Sequence, residues 1–138
     1  MSKTNERMLQ HLQRYMEYKR YVATVEQRKQ NVLQEMGSST ASWQNVGRKE
    51  AGNTRDIVSQ KVERLVRIDH AAAEADYWVR IIDSACEVIP DKWKSIAQAV
   101  RSDQNDTAIG RRCGCSATTV ANVRKRLCAI MAELSGEE

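Results

Sequence analysis

Phenylalanine is absent from this 138-residue chain, proline occurs once, and 29% of the residues are charged. That balance disfavours a strand-built core and favours long amphipathic helices, in one domain or in one small domain plus an extended element. No apolar run approaches 18 residues and no signal peptide opens the chain, which points to a soluble cytoplasmic protein with no membrane partner. There is no nucleophile–base pair, no phosphate-binding glycine loop and no convincing metal set. An enzyme and a cofactor are therefore not expected. The four cysteines lack the paired Cys-x-x-Cys spacing of a zinc knuckle. Cys113 and Cys115 flank a glycine, Cys128 follows thirteen residues later and Cys86 lies elsewhere, so reduced, inward-facing thiols are expected and no metal.

The richest stretch runs from Asp106 to Leu127. Two short helices crossing steeply need a small residue where they approach, a turn residue tolerating positive φ, and apolar side chains inside the angle. Gly114 supplies the turn, and Gly110, four residues earlier, leaves room for the second helix. Ile109, Cys113 and Cys115, then Val120, Val123 and Leu127, fill the angle at spacings of three and four. Ser116 is placed to cap the second helix. This pattern reads as a helix-turn-helix.

The outer face of that second helix holds Ala117, Thr118, Ala121, Asn122 and Lys125, flanked by Arg124 and Arg126. Small side chains let a helix enter a major groove, Asn pairs with adenine and Lys or Arg with guanine. Arg111 and Arg112 on the first helix are positioned for phosphates, which set register without reading sequence. The competing reading is an ordinary helical hairpin with a solvated basic face. Net charge is +4 overall, yet residues 91–130 alone carry +5, so positive charge collects at this end.

Upstream, Met8, Leu12, Tyr15, Val22, Val25, Leu33 and Met36 predict one long helix over 4–36, with Tyr18 and Tyr21 beside the seam and His11 on its surface. Residues 37–55, without clear period and holding three of the six glycines, read as a linker in which Trp43 and Val46 fold back. Arg48, Lys49 and Arg55 there read as a solvated loop. A second long helix starts near Asn53 or Thr54, with Asp56 in its first turn. Val58, Leu65, Ala72, Val79 and Cys86 repeat every seven, in phase with Ile68, Ala75, Ile82 and Ile89, and Asp69, Asp76 and Asp83 recur alongside. Such a seam specifies a coiled coil, either as a hairpin within the chain or between copies in a dimer. Trp78 lies off the seam, free to cover a third element, and His70 beside Asp69 reads as a surface pair. Pro90 ends this helix and Asp91 caps a short one carrying Trp93, Ile96, Ala97 and Val100. The last helix continues through Ile130, Met131 and Leu134 to Ser135-Gly136.

The expected architecture is thus all-α: residues 1–90 form a long helical hairpin or coiled coil and residues 91–138 a three-helix DNA-binding domain. The run Ile89-Pro90-Asp91, a helix, Asp106-x-x-Ile109-Gly110, Gly114-Cys115-Ser116-x-x-Thr119-Val120 and Arg124-x-Arg126-Leu127 resembles the DNA-binding end of bacterial sigma factors. It is similar also to small phage regulators of the ArpU and RinA type, which set a sigma-like helix-turn-helix behind a helical region of this size. The resemblance implies control of late prophage genes, with Thr118, Thr119, Asn122 and Lys125 reading bases. Cys113 and Cys115 stand where such proteins usually have aliphatic residues. The function expected is a sequence-specific transcription regulator, a homo-oligomer (dimer) on double-stranded DNA, with RNA polymerase as a possible partner. A phage small terminase subunit and a structural coiled-coil adaptor are the alternatives.

Overall fold

In a computed structural model of the chain, residues 3–46 and 51–136 are described, with side chains described outside 36–57. Among the described residues the regular elements are all helical, with no strand: α1 (Lys3–Gln13), α2 (Tyr15–Val46), α3 (Ala51–Val88), α4 (Lys94–Val100), α5 (Asp106–Cys113) and α6 (Ala117–Ser135), with a 3-10 turn at Asp91–Trp93. Two boundaries differ from those the sequence predicts. The linker over 37–55 is corrected: helix continues to Val46 and resumes at Ala51. With no proline in that stretch, its serines and glycines lower helix propensity without blocking the backbone bonds, and its alanines favour helix. The side chains of Met36, Trp43, Val46, Arg48, Lys49, Arg55 and Asp56 lie outside the described residues. The single helix expected over 4–36 is broken at Arg14, whose N–H is shared between the carbonyls of Gln10 (3.2 Å) and His11 (3.1 Å) before Tyr18 N–H resumes the ladder on Arg14 O (2.9 Å).

The chain divides into two compact units: Met1–Lys19 with Asp76–Glu138, and Arg20–Ala75. This division falls within α2 and α3 and not at Pro90, where the change of pattern in the sequence suggested it.

Within the first unit, α4, α5 and α6 pack on one another and α1 lies against α6. Met8 and Leu12 of α1 are fully buried, as are Ile82, Ile89, Val100, Ile109, Val120, Val123, Leu127 and Met131. Each such side chain contributes about 1.5–3 kcal/mol when taken from water. Trp78 stacks on His11 of α1, centroids 3.7 Å apart and planes inclined by 12°. The third element that Trp78 covers is therefore α1, and His11 is half-buried under an aromatic face, correcting its reading as a plain surface residue. Its Nδ1 is hydrogen-bonded to Tyr18 Oη at 2.7 Å. Tyr15 Oη donates to Asp83 Oδ1 (2.7 Å), and Arg101 Nη1 donates to the same oxygen (2.5 Å). Burial, reinforced by the Asp83 acceptor, pushes the Tyr15 hydroxyl up to about 12.

Asp91 does not cap a helix. Pro90 precedes the 3-10 turn with no side-chain cap, Trp93 stands at the start of α4, and the Asp91 carboxylate instead pairs with Lys94 (3.0 Å). The fixed φ of Pro90 starts the tight turn directly. Ile96, Ala97 and Val100 are buried as their spacing predicts, while Trp93 is half-buried.

In the second unit, Lys29 pairs with Asp69 (2.5 Å), and Glu35 accepts from both Lys61 and Arg64 (2.6 Å each). As the α2 partner advances the α3 partner falls back, so the two helices run antiparallel there. Among its described residues only Val32 and Ala75 are buried.

Candidate nucleic-acid interface

The α5–α6 connection is built by four local devices. Asn105 Oδ1 accepts from Ala108 N–H (3.1 Å), starting α5. Gly114 closes it in the left-handed region at φ 71°, and Cys115 N–H returns to Gly110 O (2.8 Å). A Cβ on Gly110 would lie 2.6 Å from the carbonyl oxygen of Cys115, so only glycine lets the turn fold back this tightly. Ser116 Oγ then accepts from Thr119 N–H (3.2 Å), starting α6. These are the roles that the sequence assigns to Gly110, Gly114 and Ser116. Cys113 and Cys115 are only half-buried, because the turn holds them at the rim of the angle that Ile109, Val120, Val123 and Leu127 fill.

Along α6 the exposed residues form a stripe. Thr118, Asn122, Lys125 and Ala129, at spacings of four, three and four, face solvent on one side. Ala121 and Thr119, both half-buried, border it, with Ala117, Ser116 and Arg126 exposed around them. On α5, Arg111 and Arg112 are exposed, the Arg112 guanidinium standing 3.9 Å from the Asp103 carboxylate. The stripe offers one amide able to donate and accept, one hydroxyl and one ammonium, with little side-chain bulk to hold the backbone away from a ligand. Protein-family models, curated proteins and solved structures yield no match to this chain.

Arg124 departs from this surface. Expected beside Lys125 and Arg126 on the outer flank, it is 8% exposed and turned inward. Its Nε donates to Asp106 Oδ1 (2.5 Å) and its Nη2 to Asp103 O (2.8 Å), tying the middle of α6 to the start of α5. The signal was in the phase: Arg124 follows Val120 by four and precedes Leu127 by three, on the buried stripe. A cation there requires an acid opposite, and Asp106 at the start of α5 supplies it. The corrected surface comprises Arg111, Arg112, Ser116, Ala117, Thr118, Thr119, Ala121, Asn122, Lys125 and Arg126.

Cys86 and Cys128 are buried, and burial pushes both thiols up to about 11. Cys86 Sγ lies 3.8 Å from Ala97 O as a weak donor. Among the described residues no cluster of three His, Cys, Asp or Glu could hold a metal ion, and no helix is long and apolar enough to cross a membrane.

Proposed function

We propose that the chain is a sequence-specific DNA-binding regulator of transcription, with α5 and α6 forming a helix-turn-helix and α6 entering the major groove. The observation that carries this reading is the pairing of a glycine-locked turn, Gly110 against Cys115 O with Gly114 left-handed, with the exposed Thr118–Asn122–Lys125 stripe directly after it. Asn122 and Lys125 read base edges, Thr118 and Ala121 allow close approach, and Arg111, Arg112 and Arg126 hold phosphates. Helices α2 and α3 form a coiled-coil hairpin that sets the spacing of two copies, working in the cytoplasm on promoters of the late-prophage kind, with RNA polymerase as the downstream partner.

The test is selection of bound fragments from sheared genomic DNA at physiological salt, where weak non-specific complexes dissociate. A few sharp peaks ahead of genes are expected. Asn122→Ala and Lys125→Ala each cost about 1–3 kcal/mol, concentrated at one base step, while Arg111→Ala and Arg112→Ala weaken all sequences alike and each lowers the salt slope by about 1. Unchanged affinity and motif in the first two variants overturns the assignment of α6 as the reading helix. Absence of any salt-dependent DNA affinity overturns the function.

A further inference from the structure

Gly114 has φ 71° and ψ 35°, and a cysteine stands on either side of it. In a right-handed helix, residues two apart point about 200° away from each other around the axis, too far apart for their side chains to meet. A left-handed residue between them changes this, because it turns the chain back and both neighbouring side chains leave on the same side. With standard bond lengths and the Gly114 torsions, the α-carbons of Cys113 and Cys115 stand about 5.5 Å apart and their β-carbons about 4.5–5 Å. A disulfide needs about 4.4–6.8 Å between α-carbons and about 3.5–4.5 Å between β-carbons. The turn therefore meets the first condition and misses the second by a few tenths of an ångström, within reach of a small backbone adjustment.

Access separates this pair from the other two cysteines. A thiol reacts as its thiolate and only where a reagent can reach it. Burial holds the Cys86 and Cys128 thiols up at about 11, whereas Cys113 and Cys115 are half-buried at the rim of the α5–α6 angle. A Cβ on Gly114 would meet nothing within 4 Å, so the turn is open on its outer side. Among the described residues no third His, Cys, Asp or Glu joins the pair, so the four-ligand set of a structural zinc site is not built there. The two sulfurs are left to each other.

We propose that Cys113 and Cys115 are a reversible modification site, which a small disulfide of the glutathione class converts to a disulfide across Gly114. One cysteine thiolate attacks a sulfur of the small disulfide, forming a mixed disulfide and releasing one small thiolate. The second cysteine thiolate attacks the protein-bound sulfur, forming the internal S–S bond and releasing the other. The two cysteines give up two protons and two electrons, and the small disulfide leaves as two thiols. So short a ring strains the bond, and strained disulfides are readily reduced, so excess small thiol restores the pair. The inference does not rest on DNA reading, and it is tested without DNA. The reduced full chain is held in a glutathione redox buffer near pH 8, quenched with acid, denatured and alkylated. Trypsin cuts after Arg112 and after Arg124, leaving Cys113 and Cys115 on one peptide and Cys86 and Cys128 on two others. The expected result is a Cys113–Arg124 peptide lighter by two hydrogens and free of alkyl groups, with Cys86 and Cys128 alkylated and the change undone by dithiothreitol. Half-conversion is expected at about tenfold less glutathione disulfide than the same chain needs when unfolded in urea, because the folded turn holds the pair together. Cys113→Ser is expected to leave Cys115 carrying glutathione, with no second thiol to release it. Alkylation of both thiols after oxidation, glutathione retained on both, a link to Cys86 or Cys128, or equal closure in urea would each overturn the proposal.

Discussion

The two units are built from the same helical material and hold it in different ways. In the first, eleven large side chains are fully buried and the polar groups among them have named partners: Arg124 has Asp106 and Asp103 O, and Asp83 has Tyr15 and Arg101. In the second, the described core amounts to Val32 and Ala75, and the links between helices are ion pairs with much of their surface in water, such as Arg64–Glu35 at 46% and 47% exposed. Such exposed pairs add little, because solvent screens them and two long side chains lose freedom to make them. In the first unit α1, α4, α5, α6 and the end of α3 all contribute to one core; two helices lying side by side enclose much less. The cleaner heptad repeat of α3 is therefore no guide to where burial is greatest.

The largest test of that contrast is truncation on either side of it. Leu127→Ala is expected to cost about 2–5 kcal/mol, the range for a fully buried leucine, whereas half-buried Leu65→Ala costs about 1 kcal/mol. Chemical denaturation followed by circular dichroism measures both, and equal losses would remove the distinction between the units.

A smaller effect sharpens the account of Arg124. In a double-mutant cycle with Asp106→Ala, Arg124→Ala should show a coupling of about 1–3 kcal/mol, because the ion pair is mostly enclosed. If the two losses simply add, the contact does not tie α6 to α5. The matching cycle between Arg80 and Asp76, whose side chains are 79% and 42% exposed, should give coupling near zero.

Smaller again is a loss of stability in alkali confined to the first unit. Cys86 and Cys128 are pushed up to about 11 and Tyr15 to about 12 by burial, so the folded chain holds protons that the unfolded chain releases. Their contribution is complete below the ordinary thiol value of about 8.5 and declines as pH rises toward 11. Thermal midpoints measured from pH 8 to 11 should fall across that window, and Cys86→Ala with Cys128→Ala should flatten the decline even while lowering stability at pH 8. At pH 8 a thiol reagent should label half-buried Cys113 and Cys115 well ahead of the two buried cysteines.

Local chemistry was the most legible part of the sequence. A turn needing positive φ, a cap needing a hydroxyl and a contact with no room for a Cβ each admit few residue types, so Gly114, Ser116 and Gly110 declare themselves. The burial of Val120, Val123 and Leu127 follows from their spacing alone. What periodicity does not carry is which distant element answers a face. Nothing local indicates that α1 lies on α6, so His11 reads as a surface residue until Trp78 is seen over it. Arg124 reads as a surface residue when its charge is weighed without its phase, which places it on the buried stripe. Residues 37–46 read as linker because a missing apolar period argues against packing, yet a helix can persist without it.

The packing of α1 on α6 also sets an order of events during synthesis. The helix α1 leaves the ribosome roughly a hundred residues before α6, which packs on it, while residues 20–75 have both of their helical segments in hand much earlier. The first unit is thus interrupted in sequence by the second and is sealed only when its later piece arrives. A nascent chain stalled before Ala117 lacks the helix that packs on α1, so the apolar face of α1 is left more exposed than in the finished protein, a grip for a chaperone.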